Sequence, residues 1–415
     1  MAASQLIIEN ARIITPISDL ADTHVLVRKG VIEAISSSRD EIRKASGGNA
    51  SRVYDATGCL LTPGLIELHS NGGGGVDAYH EDLSSWCEFL SRTGVTALMP
   101  TLVTRPLDDM VAAASRIAQW SRQPSTPRLL GVYPEGPFIS GRYGQQPADN
   151  CLNPREDDYL RLLAALDGTR SIITTAPELP GAFDFIERIV GAGHIAAIGH
   201  TGADAATTGR AVDLGARLAS HIADAMSFCT PKAPETSEGK LCGVVAPNAT
   251  EVLLTRDEVY AEVIVDQVGA HVHPVMLEII RRCKPADRFI TISDNMAAAG
   301  MPDGRYETVD GRTYVIDRTK DDLIRLEPEG TLAGVVYALK DGIRNLMDQT
   351  GTSLCDAVTS VTLNPARLLG LEESIGSIEV GKKADIAVFD ADWNVVLTLV
   401  EGKISFQSDT FAARE

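Results

Sequence analysis

Eight short apolar runs, separated by amphipathic stretches, constrain this chain more than any other feature. They are CLLTPGLIELH, GVTALMPT, RLLGVYPE, RSIITTAPE, HIAAIGH, ARLASH, VYAEVIVDQ and RFITISD. Short runs of β-branched and aliphatic residues read as strands buried on both faces. Stretches between them, such as LDDMVAAASRIAQW and AATTGRAVDLG, carry helical spacing. Strand alternating with helix implies a parallel sheet. Eight repeats predict an α/β fold, a (β/α)8 barrel over residues 59–374. Residues 1–58 and 375–415 differ: LIIEN, ARIIT, HVLVR, ADIAVFD and NVVLTLV read as strands with tight turns. Neither end carries enough apolar surface to fold alone, so both are expected to join in one small β-sandwich domain.

The informative point is where each run stops. The endings are His69, Thr101, Glu135, Glu178, His200, His221, Gln267 with His271 just beyond, and Asp294. In a (β/α)8 barrel the C-terminal strand ends converge on one site. A single histidine there reads as a satisfied buried polar group; a ring of polar endings reads as a site. Glu135, His200 and His221 form a donor set for one divalent cation, Zn²⁺ first, with Fe²⁺ or Mn²⁺ tolerated. Such a cation makes water acidic near neutral pH. Asp294 is suited to move a proton from that water to a leaving group, although an Asp here could also cap the next helix. His24, His80, His194 and His273 lie in other settings and receive structural readings.

Charge excludes several partners. Asp and Glu number 56 against 38 Lys and Arg, a net charge of −18, which disfavours nucleic acid and anionic membranes. Seven cysteines occur, none spaced as CxxC, which suits a reducing compartment. The opening MAASQLIIENARIITPI reads as strand rather than leader, and no apolar run approaches the roughly 18 residues of a membrane span. A cytoplasmic location is expected.

Longer segments then carry a resemblance. They are PGLIELHSNGGGG (63–75), PEGPF (134–138), TTAPE (174–178), GHTGA (199–203), HIADAM (221–226), HVHP (271–274), ISDNMAAAG (292–300) and GTLAG (330–334). With the GSIEVGKKADIAVFD tail (376–390), the chain resembles the N-acetylglucosamine-6-phosphate deacetylase family of the amidohydrolase superfamily. The resemblance implies hydrolysis of an N-acetyl group on an amino sugar, giving acetate and free amine. It implies Glu135, His200 and His221 as metal ligands and Asp294 as general base and acid. His271 is placed beside the scissile amide, and Leu332, Ala333 and Gly334 in a substrate-contacting loop. The His-x-His of two-metal members reads His69-Ser70-Asn71 here, implying one tightly held metal with His69 as weak ligand or support.

The sugar half departs from the family. Its Asn-Ala is Asp224-Ala225, and its Gly-x-His is Gly144-Gln145-Gln146. A phosphate-binding Arg that reaches in from a dimer partner is represented by Lys232. Asp224, Ala225, Lys232, Gln145 and Gln146 are therefore the candidate sugar contacts of a homodimer. Because a carboxylate repels phosphate, an unphosphorylated N-acetylhexosamine or its glycoside is the expected substrate. The alternatives are another amidohydrolase reaction, on an N-acyl amino acid or cyclic amide, and an inactive sugar-binding relative. Cyclic amidases usually carry a carbamylated Lys on the fourth strand, and SIITTAPE has none.

Overall fold

The computed structural model describes residues 5–48, 52–231, 245–307, 311–328 and 330–414. Its centre is the expected barrel. The strands are β1 (Leu65–Ser70), β2 (Val95–Val103), β3 (Tyr133–Glu135), β4 (Ile172–Thr175), β5 (Ile195–Ile198), β6 (Leu218–Ala219), β7 (Tyr260–Ile264) and β8 (Phe289–Ile292). Each pairs in parallel with the next. The ring closes where Ser70 bridges Asn295 and the Asp294 amide donates to the His69 carbonyl at 3.0 Å.

Two apolar layers hold this ring. Inside it, Leu68, Met99, Tyr133, Ile172, Leu218, Ile264 and Ile290 fill the lumen, so the barrel is packed rather than hollow. Outside it, strand side chains such as Leu98 and Ile198 pack on helix residues such as Met110, Ile117, Phe185 and Ile189. Burying each such aliphatic side chain stabilises by roughly 1.5–3 kcal/mol. Helices Leu107–Trp120 and Ala182–Gly191 supply these faces at helical spacing. Among the described residues, no helix is long and apolar enough to cross a membrane.

The termini build a second sheet. Its order is Lys403–Gln407, Val395–Val400, Ile386–Phe389, Leu60–Pro63, Gln5–Ile14, Asp19–Arg28, Val31–Ser36, with Arg52–Asp55 also on Gln5–Ile14. Its strands form one continuous hydrogen-bonded sheet around a core that includes Ile8, Val25, Leu61, Ile386 and Leu397. The run CLLTPGLIELH, read as a single strand, divides: Leu60–Pro63 pairs with the terminal strands and only Leu65–Ser70 enters the barrel. This sheet therefore takes in residues beyond position 58, where the sequence reading ended it. Pro63 and Gly64 are the break.

A second departure follows β8. Before helix Leu339–Thr350 the chain inserts a four-stranded antiparallel sheet, Gly304–Glu307, Thr313–Ile316, Leu323–Glu327 and Thr331–Val335. Leu332, Ala333 and Gly334, read as a loop, lie on its last strand. The insert has its own small core of Tyr314, Ile316, Ile324 and Leu326 beside Ala298 and Val336.

Candidate active site

Each polar strand end is set by a local backbone device. After β5, His200 takes a left-handed conformation (φ 46°), and Asp204 caps the next helix by accepting from the Thr207 amide at 2.8 Å. After β6, His221 (φ 30°) does the same, and after β8 so does Asp294 (φ 51°). Non-glycine residues pay about 1–3 kcal/mol for such backbone, and the cost is tolerated where side chains must be aimed. Two glycines admit neighbours that a side chain would exclude. A Cβ on Gly144 would sit 2.6 Å from the His200 ring, and one on Gly334 would sit 2.6 Å from the Asp294 carbonyl oxygen.

The side chains converge on one atom, Glu135 Oε1. His221 Nε2 lies 2.8 Å from it, His200 Nε2 2.9 Å and His69 Nε2 3.5 Å. The second Glu135 oxygen accepts from Gln146 Nε2 at 2.8 Å, and Gln146 Oε1 accepts from the Thr104 amide. Gln146, expected to meet sugar, thus braces Glu135 while still lining the cleft. Nδ1 of His200 donates to the Tyr143 carbonyl at 2.8 Å, which orients its Nε2 inward. His69 Nδ1 lies 3.2 Å from the fully buried Glu262, a carboxylate behind an imidazole.

These groups fit a divalent cation. His69, Glu135 and His221 are all buried, with ligand atoms within 4.8 Å of one another. His69 Nε2 has no hydrogen-bond partner among the described residues, although Glu135 Oε1 and Asp294 Oδ1 each lie 3.5 Å away. A buried imidazole aimed at two carboxylates without bonding either is placed for a ligand. The electrostatics agree. Burial works against ionising Glu135, yet the imidazoles of His69, His200 and His221 hold its carboxyl well below the usual range. Burial likewise opposes a proton on His221, but Glu135 raises it to about 9. The carboxylate thus draws positive charge into a dry site, and a cation can replace those protons.

Asp294 faces this centre. Its Oδ1 accepts from Asn71 Nδ2 at 2.8 Å, and its side chain is 17% exposed, so the carboxylate meets the cleft. The cleft, about 320 Å³, is lined by Asn71, Gly144, Gln145, Gln146, Asp224, Ala225, His271, Asp294, Leu332, Ala333 and Gly334 together with Glu135, His200 and His221. Of the expected sugar contacts, Lys232 lies outside the described residues.

Several readings of the run ends change. Gln267 is exposed; its neighbour Asp266 is the buried carboxylate, accepting from the His271 amide and lying 3.2 Å from His271 Nδ1. Burial pushes Asp266 up, but these donors hold it at about 2. Burial pushes His271 down, and Asp266 and Asp224 bring it above its ordinary value. Glu178 points away and accepts from Thr201 Oγ1 and the Gly202 amide. Arg312 enters from the inserted sheet, its Nη1 donating to the Gln145 carbonyl at 2.7 Å. The sequence reading missed Arg312, Asp266 and Glu262. A carboxylate inside the apolar run VYAEVIVDQ was the available signal for the last two.

Known proteins share this architecture. The Amidohydrolase family model matches residues 60–405. N-acetylglucosamine-6-phosphate deacetylase of Homo sapiens is 32% identical over 88% of each chain. The enzyme of that name from Bacillus subtilis (strain 168) is 29% identical over 98% of each. The crystal structure of N-acetylglucosamine-6-phosphate deacetylase from Pasteurella multocida superposes with TM-score 0.84 at 26% identity, covering 96% of this chain and 99% of that one. The chain is a metal-dependent hydrolase of the amidohydrolase family and belongs, within it, to the N-acetylglucosamine-6-phosphate deacetylase family.

Proposed function

We propose that the protein removes the acetyl group of an N-acetylated hexosamine, with the unphosphorylated sugar or its glycoside preferred over the 6-phosphate. The observation that carries the chemistry is the convergence of three imidazoles on Glu135 Oε1, with Asp294 3.5 Å from the nearest of them. Glu135, His200 and His221 are the proposed ligands of one divalent cation, Zn²⁺ first, with His69 beside them. When bound, such a cation supplies Lewis acidity, polarising an amide carbonyl and acidifying water.

The remaining work falls to the chain. Asp294 takes a proton from the attacking water and returns it to the amine nitrogen as the C–N bond breaks. Asn71 fixes the carboxylate for both steps through its donated hydrogen bond. Gln146 and Thr104 keep Glu135 from turning, and Asp266 holds His271 toward the amide. Water leaves as part of acetate and amine, so no other reactant is needed.

The preference for an unphosphorylated sugar rests on Asp224, which lines the cleft where the family carries a neutral amide. A carboxylate about 4 Å from one phosphate charge costs roughly 4 kcal/mol at an effective dielectric of 20. Asp266 and Asp224 raise the proton affinity of His271 against its burial, which works against this repulsion. Taking half the repulsion, Asp224→Asn should shift the ratio of kcat/KM toward the phosphate ester by about tenfold or more. The measurement is kcat/KM for both sugars in both proteins. A wild type that favours the phosphate ester a hundredfold would sink this specificity. An N-acetyl amino acid belongs in the same screen. Hydrolysis of that compound alone would overturn the sugar assignment. A homodimer in the cytoplasm is proposed, and light scattering reads the oligomeric state.

A further inference from the structure

A second cavity of about 140 Å³ adjoins the cleft, sharing Asn71, Val103, Met296, Arg312 and Tyr314 as walls. It is lined elsewhere by residues following β1, β2 and β8, including Tyr79, Arg105, Ala297 and Ala298, and by Tyr306 of the insert. For comparison, a cavity of about 150 Å³ holds a benzene ring. An acetyl methyl does not need this space.

Its position and chemistry decide its occupant. The sugar contacts Asp224, Ala225 and His271 follow β6 and β7, and the ring order of the strands puts β2 and β3 across the mouth from these. In an amide, the acyl substituent and the amine lie on opposite sides of the carbonyl carbon. A sugar held at Asp224 and His271 therefore sends its acyl group toward β2, into this cavity. Several polar groups there are already satisfied, while Asn71 Oδ1, unpaired among the described residues, stands on the wall shared with the cleft. Arg105 pairs with Asp77 at 2.7 Å and stacks 3.7 Å over the Tyr79 ring. Tyr79 Oη donates to the Val103 carbonyl, and Tyr306 Oη to that of Pro302. Walls on which Arg105 is paired and both tyrosine hydroxyls are bonded to backbone favour an apolar occupant over a charged one.

We infer that this cavity is an acyl-chain chamber, and that the enzyme hydrolyses N-acyl hexosamines whose apolar acyl group is longer than acetyl, up to about the size of a benzene ring. The inference rests on the amino-sugar reading above. The reaction balances as for acetate: the acyl C–N bond breaks, water's oxygen and one proton stay with the acyl carbon as a carboxylic acid, and the other proton reaches the amine through Asp294.

The test compares N-acetyl and N-butanoyl hexosamine with the metal-loaded enzyme. Wild type should show kcat/KM for the butanoyl sugar at or above that for the acetyl sugar. Ala297→Phe, which fills the chamber from a half-buried wall position, should lower the butanoyl value by at least about tenfold and the acetyl value by less than about threefold. If Ala297→Phe does not fold, Ala297→Leu serves the same comparison. A wild type that handles the butanoyl sugar worse than the acetyl sugar overturns the chamber. So does a variant that lowers both alike, or one that impairs only a benzyl glycoside, which would give the space to the sugar's substituent. Failure to release any acid from either amide would instead reject the amino-sugar reading itself.

Discussion

Replacing Asp294 with asparagine should lower kcat by at least about 100-fold while leaving fold and metal content unchanged. The substitution is nearly isosteric, and the asparagine carbonyl oxygen can still accept from Asn71 Nδ2, now 2.8 Å from Asp294 Oδ1. The strained backbone (φ 51°) is also one that asparagine tolerates better than most residues. What disappears is a group able to hold a proton between water and amine. KM should move little, because Asp294 acts on the proton and not on the sugar. Steady-state kinetics with metal analysis of the same sample reads both quantities. A near-normal kcat would assign the proton to another group.

The second large effect separates two donor sets that the geometry places side by side. His200→Ala should reduce bound metal from roughly one ion per chain to under about a tenth, with activity lost in parallel. The melting profile should stay cooperative, since His200 sits at the rim of β5 and outside the packed lumen. His69→Ala should keep most of the metal, because in the one-ion reading His69 stands beside the ligands. The opposite pattern, metal retained without His200 and lost without His69, would move the ion to the group formed by His69, Glu135 and His221.

What was legible in the sequence follows from burial. Strands such as SIITT and IAAI are covered on both faces, so they are written in continuous apolar residues, and each functional side chain appears as an interruption at the end. Glu135, His200, His221 and Asp294 were visible for that reason. The inserted sheet was not, because its strands are short, GRYE is exposed, and GRYE and LIRLE carry charge, which reads as connection. Arg312 was lost with it. Glu262 was hidden differently: a carboxylate within a strand looks like an ordinary outward-facing residue until the ring closes and puts it behind His69. For Gln146 the sequence shows the absent histidine and a place in the cleft, but not the hydrogen bond to Glu135.

The terminal sheet imposes an order on biosynthesis. Leu60–Pro63, fully buried in the finished protein, takes one neighbour from Gln5–Ile14 and the other from Ile386–Phe389. The second neighbour leaves the ribosome only after the whole barrel has been made. Until then an apolar strand edge stands open on the nascent chain, of the kind that recruits chaperones or pairs with a foreign strand. Chains stalled before residue 386 should accordingly be the aggregation-prone species, however well their barrel has formed.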